Sequence, residues 1–175
     1  MSDKDCRLMF QQFLAYLKYV VRHKWFVFVA CYRLGIPWLG IVHDLSKFSR
    51  CEFGPYARNF FGPDGRRRNV RDATGAYDPN SQRDEFRLAW LNHQRNKHHW
   101  QAWVSIGDGG NLRPLRIPHR YCLEMVADWV GAGMAISGRK DPNQWYQSNK
   151  HNMILHEDSR KEIEAILAVI GGEDE

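Results

Sequence analysis

The sequence predicts an all-α fold, and three observations carry that expectation. Apolar residues recur at three- and four-residue steps in several windows, as they do along one face of a helix. Glycine and proline fall between those windows and punctuate them. No segment sustains the period-two alternation of a half-buried strand. At 175 residues, 43% hydrophobic and 26% charged, the chain can bury a core of its own. Residues 1–175 therefore read as a single-domain helical bundle.

From Arg7 to Arg22 the apolar positions are Leu8, Phe10, Phe13, Leu14, Leu17, Val20 and Val21, the spacing of an amphipathic helix. His23 follows, and Lys24 to Leu34 continues helically to a stop at Gly35-Ile36-Pro37. Trp38 to Ser46 is expected as the next helix, with His43 and Asp44 near its C-terminal end. Ser49 to Phe61 is another, interrupted at Pro55. Gly62-Pro63-Asp64-Gly65, an arginine cluster and Asp78-Pro79-Asn80-Ser81 are turn chemistry without periodicity. Residues 62–83 thus read as a basic loop insertion, mobile and lying over the site. Asp84 to Val104 returns to helix, bearing Trp90, His93, His98, His99, Trp100 and Trp103. Gly107 to Asn111 is a loop, Pro118 precedes a helix from about His119 to Ile136, and Gly138 to Asn143 is a turn. Ser159 and Glu162 have the spacing of a capping box and open a last helix running to Ile170.

The net charge of +5 and a pI near 9.1 favour an anionic partner, either nucleic acid or a phosphorylated small molecule. Much of the excess sits at Arg66, Arg67, Arg68 and Arg71, whose alternative role is a solvated loop. Cys6, Cys31, Cys51 and Cys122 are widely spaced, with no CxxC pair. That pattern argues against a disulfide scaffold or a cysteine-based zinc site and fits reduced thiols in a cytoplasmic protein. No signal peptide is expected, because charge breaks the first apolar run. The stretch from Trp25 to Val42 contains Arg33 and two glycines, so no membrane span is expected either.

The chemistry-bearing residues centre on His43-Asp44, with Lys47 three positions on. Imidazole nitrogen with carboxylate oxygen is a donor mixture suited to a divalent transition metal. Neighbours on a helix point about 100° apart, so an ion reached by both lies at the helix edge and needs ligands from elsewhere. His23, between two apolar helical stretches, is one candidate. Asp128 is another, since a carboxylate inside Glu124-Met125-Val126-Ala127-Asp128-Trp129-Val130 needs a partner. Its competing role is a salt bridge to a buried arginine. His93, His98 and His99 on one straight helix could not all reach one ion. One or two of them would complete a second site or donate to substrate phosphate, with ordinary hydrogen bonding as the alternative. Lys47 is placed to neutralise phosphate beside the ion. Glu52 is a candidate general acid or base, or else a solvated helix residue. Lys150, like Arg95 and Lys97, is a candidate anion contact or a surface charge, and tryptophan and tyrosine side chains could stack on a base.

His43-Asp44-Leu45-Ser46-Lys47-Phe48-Ser49, followed by Glu52-Phe53 and Tyr56-Ala57, resembles a small uncharacterised family of phages and bacteria. So do Ala89-Trp90-Leu91 with His93-Gln94, Asn96 and His98-His99-Trp100, and the stretch Glu124 to Trp129. Trp145-Tyr146 with Lys150, then Leu155-His156, extends the likeness over most of the chain. That family looks like a divergent branch of the HD superfamily of metal-dependent phosphohydrolases.

The resemblance implies an HD-type helical bundle whose metal ligands are His23, His43, Asp44 and Asp128. The ion is expected to be divalent (Mn, Fe, Co, Ni or Zn), with Lys47, Glu52 and His93 as the catalytic residues and His98, His99, Tyr146 and Lys150 as substrate contacts. The extra histidines resemble second-metal ligands of binuclear members, but His93 and His98 are only five apart, which favours one ion. The expected enzyme is a phosphohydrolase acting on a nucleotide or related phosphate ester in the cytoplasm, the host's if the chain is phage-encoded. Two alternatives stand beside it: a cyclic nucleotide or oligonucleotide phosphodiesterase, and a non-enzymatic nucleic-acid-binding or inhibitory module with a structural metal. The basic loop supports the last of these. An oligomer is compatible with all three.

Overall fold

Apolar spacing near the N-terminus produces one unbroken 31-residue helix, α1 (Asp3–Arg33), in the computed structural model. The structure describes residues 3–71, 73, 75–76, 78, 82–138 and 141–172. After α1 come α2 (Pro37–Val42), α3 (Phe53–Phe60), α4 (Asp84–His93), β1 (Val104–Ile106), β2 (Leu112–Pro114), α5 (His119–Ile136), α6 (Pro142–Asn149) and α7 (Glu157–Gly172). Short 3-10 turns lie at Leu45–Phe48, Trp100–Trp103 and Lys150–Asn152. The fold is all-α apart from the small antiparallel pair β1–β2, which sets Ser105 opposite Arg113. Among the described residues no helix is long and apolar enough to cross a membrane.

Several expected boundaries move. The helix expected to reach Ser46 ends at Val42, so His43 and Asp44 stand in the break after it. The helix expected to reach Val104 ends at His93 and gives way to a turn and a strand. Pro55 does not interrupt α3; it sits in the first turn, where its missing N–H has no helical partner to lose. The turn expected at Asp78–Ser81 falls largely on Pro79, Asn80 and Ser81, which lie outside the described residues, as do Arg139 and Lys140 of the expected turn before α6.

The chain divides into two compact units, residues 1–22 with 44–93 and residues 23–43 with 94–175. In the first, Tyr16 and Val20 of α1 pack with Tyr56, Ala57 and Phe60 of α3, Phe61, and Phe86 and Ala89 of α4. Edge-to-face ring contacts such as Tyr56–Phe86, 5.0 Å between centroids, fill this core. The start of the basic loop is held by contacts to the helices of the first unit. Gln12 Nε2 donates to the Phe61 carbonyl at 2.7 Å, Arg68 N–H to the Phe60 carbonyl at 2.8 Å, and the Arg67 guanidinium lies 5.0 Å from the Tyr19 ring. These contacts pin residues 61–68 to α1, leaving Arg66 and Arg67 exposed.

The second unit is built on two close backbone approaches. A Cβ on Gly131 of α5 would lie 2.4 Å from Val27 Cγ2 and 2.9 Å from the Val27 nitrogen, so α1 and α5 cross where only glycine fits. A Cβ on Gly40 of α2 would meet Phe28 Cα and Cys31 Cβ, both at 2.9 Å. Around these crossings Val27, Cys31, Met125, Val126, Val130, Ile163 and Leu167 form the core. Burial, reinforced by Glu124 and Asp128, pushes the Cys31 thiol up to about 12. Burial and Glu162 do the same to Cys122, also to about 12, while Cys6 and Cys51 are exposed.

Ser159 does not cap the last helix, which begins two residues earlier at Glu157. His156 takes that role through its ring, Nδ1 accepting the Asp158 N–H at 3.2 Å. The buried Ser159 hydroxyl accepts the Ile117 N–H at 2.8 Å. Ser159→Ala leaves that buried donor without its acceptor, and a loss of about 1–3 kcal/mol in urea-unfolding free energy is expected. A variant as stable as the parent would show that water replaces the hydroxyl.

Candidate metal centre

The stop at Gly35-Ile36-Pro37 turns the chain, and the Gly40 contact lays α2 against α1. α2 ends because His43 is extended, with φ −50° and ψ 132°. Lys24 of α1 donates Nζ to the Ile41 carbonyl at 3.2 Å and to the His43 carbonyl, holding that helix end in place. The chain's return thus brings His43 beside His23, their rings 5.6 Å apart. The Val27–Gly131 crossing, about one helical turn away, brings Asp128 to the same spot.

There His23 Nε2 lies 3.2 Å and His43 Nε2 3.4 Å from the same oxygen, Asp128 Oδ1. Behind His43, Glu124 Oε1 stands 3.0 Å from Nδ1. The same oxygen is 3.3 Å from His98 Nδ1, and the His43 and His98 rings are 4.2 Å apart. Burial raises the Asp128 carboxyl, but the bonds from His23 and His43 outweigh it and hold the group well below the usual carboxylate range. Glu124 is likewise lowered, the bonds to His43 and His98 overcoming burial.

A neutral imidazole carries one N–H. His43 faces a carboxylate oxygen at each nitrogen, so donation to Glu124 leaves the Nε2 lone pair toward Asp128. A cation among the Nε2 atoms and Oδ1 satisfies that arrangement. Ligand atoms bound tetrahedrally at 2.0–2.2 Å lie about 3.3–3.6 Å from one another. The observed 3.2 and 3.4 Å fall at the short end of that spacing. Two imidazole nitrogens and a carboxylate oxygen suit a divalent transition metal, and a glutamate behind one imidazole is the usual orienting device.

In the first unit Asp44 has φ +54°, the one non-glycine residue among those described with positive φ. Aspartate tolerates that region better than most residues. Its Oδ2 pairs with Lys47 Nζ, and its Oδ1 lies 3.5 Å from Nε2 of His93, the last residue of α4. Glu52 Oε2 is 2.9 Å from His93 Nδ1 and accepts from Ser46 Oγ at 3.2 Å. Tyr56 meets the His93 ring edge-on at 5.6 Å. Burial holds the His93 imidazole below its ordinary range against the pull of Asp44 and Glu52, so the neutral form is favoured. Glu52 is buried, not the solvated helix residue that was the alternative.

Each unit therefore repeats one arrangement: Glu124–His43–Asp128 in one and Glu52–His93–Asp44 in the other, with glutamate at Nδ1 and aspartate at Nε2. The two sets adjoin in sequence at the His43–Asp44 peptide bond. Because α4 ends at His93, His98 and His99 are not bound to its helical phase. His98 joins the second unit's cluster through Glu124, with the His99 ring 4.4 Å beyond it.

Tyr146 departs from expectation. Tyr146 is 0% exposed, its ring stacked on Trp129 at 5.7 Å and its hydroxyl donating to Glu164 at 2.9 Å. It is core, not a substrate contact. Lys150 lies over that ring at 6.0 Å and accepts from Arg160 through its carbonyl, so its surroundings are the α6–α7 packing. Glu124 was missed as a site residue, although its four-residue spacing from Asp128 put both carboxylates on one helical face.

A family model described as a family of unknown function (DUF5662) matches residues 12–169. No curated protein and no solved structure matches the chain.

Proposed function

The chain belongs to the DUF5662 family, and we propose that it is an HD-type metal-dependent phosphohydrolase acting on a nucleotide or related phosphate ester. One observation carries the reading: two buried imidazole Nε2 atoms converge on Asp128 Oδ1 at ligand–ligand spacing, with Glu124 behind one of them. The HD resemblance adds Asp44, next in sequence to His43, to that ligand set. A divalent ion held there supplies polarisation of a phosphoryl oxygen and acidification of water.

The chain's own groups do the rest. Glu124 fixes the His43 tautomer and aims Nε2. Lys47 brings positive charge to the phosphate. Neutral His93, backed by Glu52, accepts a proton at Nε2.

The test is metal analysis of the purified chain, followed by phosphate release from nucleoside mono-, di- and triphosphates and cyclic nucleotides. A single ion per chain is expected, with turnover lost to a chelator and restored by one added metal. Glu124→Gln should weaken metal affinity roughly 10- to 100-fold while keeping the same stoichiometry. Turnover that survives complete metal removal would end the proposal. Bound metal with no turnover but tight nucleic-acid binding would instead establish a binding module with a structural ion.

A further inference from the structure

The face of α1 opposite its buried side is apolar from Phe10 to Tyr32. Phe10, Leu14, Leu17, Val21, Trp25 and Tyr32 all stand exposed on it. Phe10, Val21 and Tyr32 are successive steps of eleven residues, as are Leu14 to Trp25 and Leu17 to Phe28. Eleven residues make three turns with little drift, so the stripe keeps to one side of a helix of 31 residues.

Phe10 at 66%, Trp25 at 61% and Tyr32 at 68% exposure offer roughly 100–160 Å² each, taking about 150–250 Å² as a full aromatic side chain. With the aliphatic members the stripe exceeds the roughly 300–600 Å² largest patch of a typical monomer.

We propose that α1 is the seam of a homodimer, two copies pairing antiparallel along this stripe. Area supports it: the aromatics of two copies bring roughly 600–1,000 Å², and the leucines and valines carry the total past the ~1,000 Å² a specific interface needs. Shape supports it as well. A two-fold axis at Val21 sets Leu17 against the partner's Trp25 and Phe10 against the partner's Tyr32, with Phe28, packed against Gly40 of α2, beside the seam. Trp25 thus meets a smaller side chain, and the interface is self-complementary.

Sedimentation equilibrium on the full chain, from micromolar to submillimolar concentration, tests this. The expected mass is twice the 20.6 kDa of one chain. Val21→Glu places two carboxylates across the axis and should give the single-chain mass with helicity retained, since the site is exposed. Leu17→Glu alone and Trp25→Lys alone should each weaken the dimer, and the two combined should restore it by bringing opposite charges together. A wild-type chain that stays monomeric overturns the proposal, as does a Val21→Glu variant that stays dimeric. So does a monomer that instead sediments with anionic phosphatidylglycerol vesicles, which would make the stripe a membrane face.

Discussion

Asp128→Ala is expected to strip the chain of bound metal, with affinity falling by at least about 100-fold, more than losing an orienting partner alone would give. Asp128 Oδ1 is the point on which His23 Nε2 and His43 Nε2 converge at 3.2 and 3.4 Å. Without it the two imidazoles lose the oxygen on which both converge. The metal-free variant should also lose about 2–4 kcal/mol, because the carboxylate, only 16% exposed, stands against two buried imidazoles that lose it as a partner. With metal present the gap should widen, since an ion that binds only the folded parent stabilises it by mass action. Metal content and denaturant midpoints with and without chelator would measure both effects. A variant that keeps its ion at the parent's stoichiometry would remove Asp128 from the ligand set.

Gly131→Ala should damage fold and site together. The added methyl would sit 2.4 Å from Val27 Cγ2 and 2.9 Å from the Val27 nitrogen, and a backbone nitrogen cannot turn aside as a side chain can. The helices must part, for about 2–3 kcal/mol, or roughly 5–10 °C in Tm for a chain of this size. His23 rides on α1 and Asp128 on α5, so the same movement widens their contact and weakens metal binding. An unchanged midpoint would mean the crossing is looser than the distances show.

Long periodic segments were legible in the sequence. The predicted limits of α5, His119 and Ile136, are those observed, because its apolar pattern runs between Pro118 and Gly138 without competition. The continuity of α1 through His23 was legible for the same reason. The strands were not, since three residues each are too few to show alternation. The stop after His93 was hidden too, because tryptophans and histidines continue past it at spacings that mimic a helix.

Ser159 illustrates a different limit. The capping-box spacing was present, but His156 caps the helix and the hydroxyl serves Ile117, a partner 42 residues away. At the site, residue type identified His23, His43 and Asp128, whereas Glu124 acquires meaning only once His43 is seen to face it. Tyr146 failed in the opposite direction: an aromatic beside a lysine looked available to a ligand, and it is sealed in the core.

The four thiols give the chain a built-in readout of opening. Cys6 and Cys51 are exposed and belong to the unit formed by residues 1–22 and 44–93. Cys31 and Cys122 are buried in the unit of the His23–His43–Asp128 cluster, their thiols pushed up to about 12. A pulse of alkylating reagent near neutral pH therefore marks the first pair at once. It reaches the second only when that core opens, because the reactive species is the thiolate. Mass spectrometry of the labelled chain would then time the opening of the metal-bearing unit with no engineered probe, and the delay gained on adding an ion would measure how firmly that ion locks it.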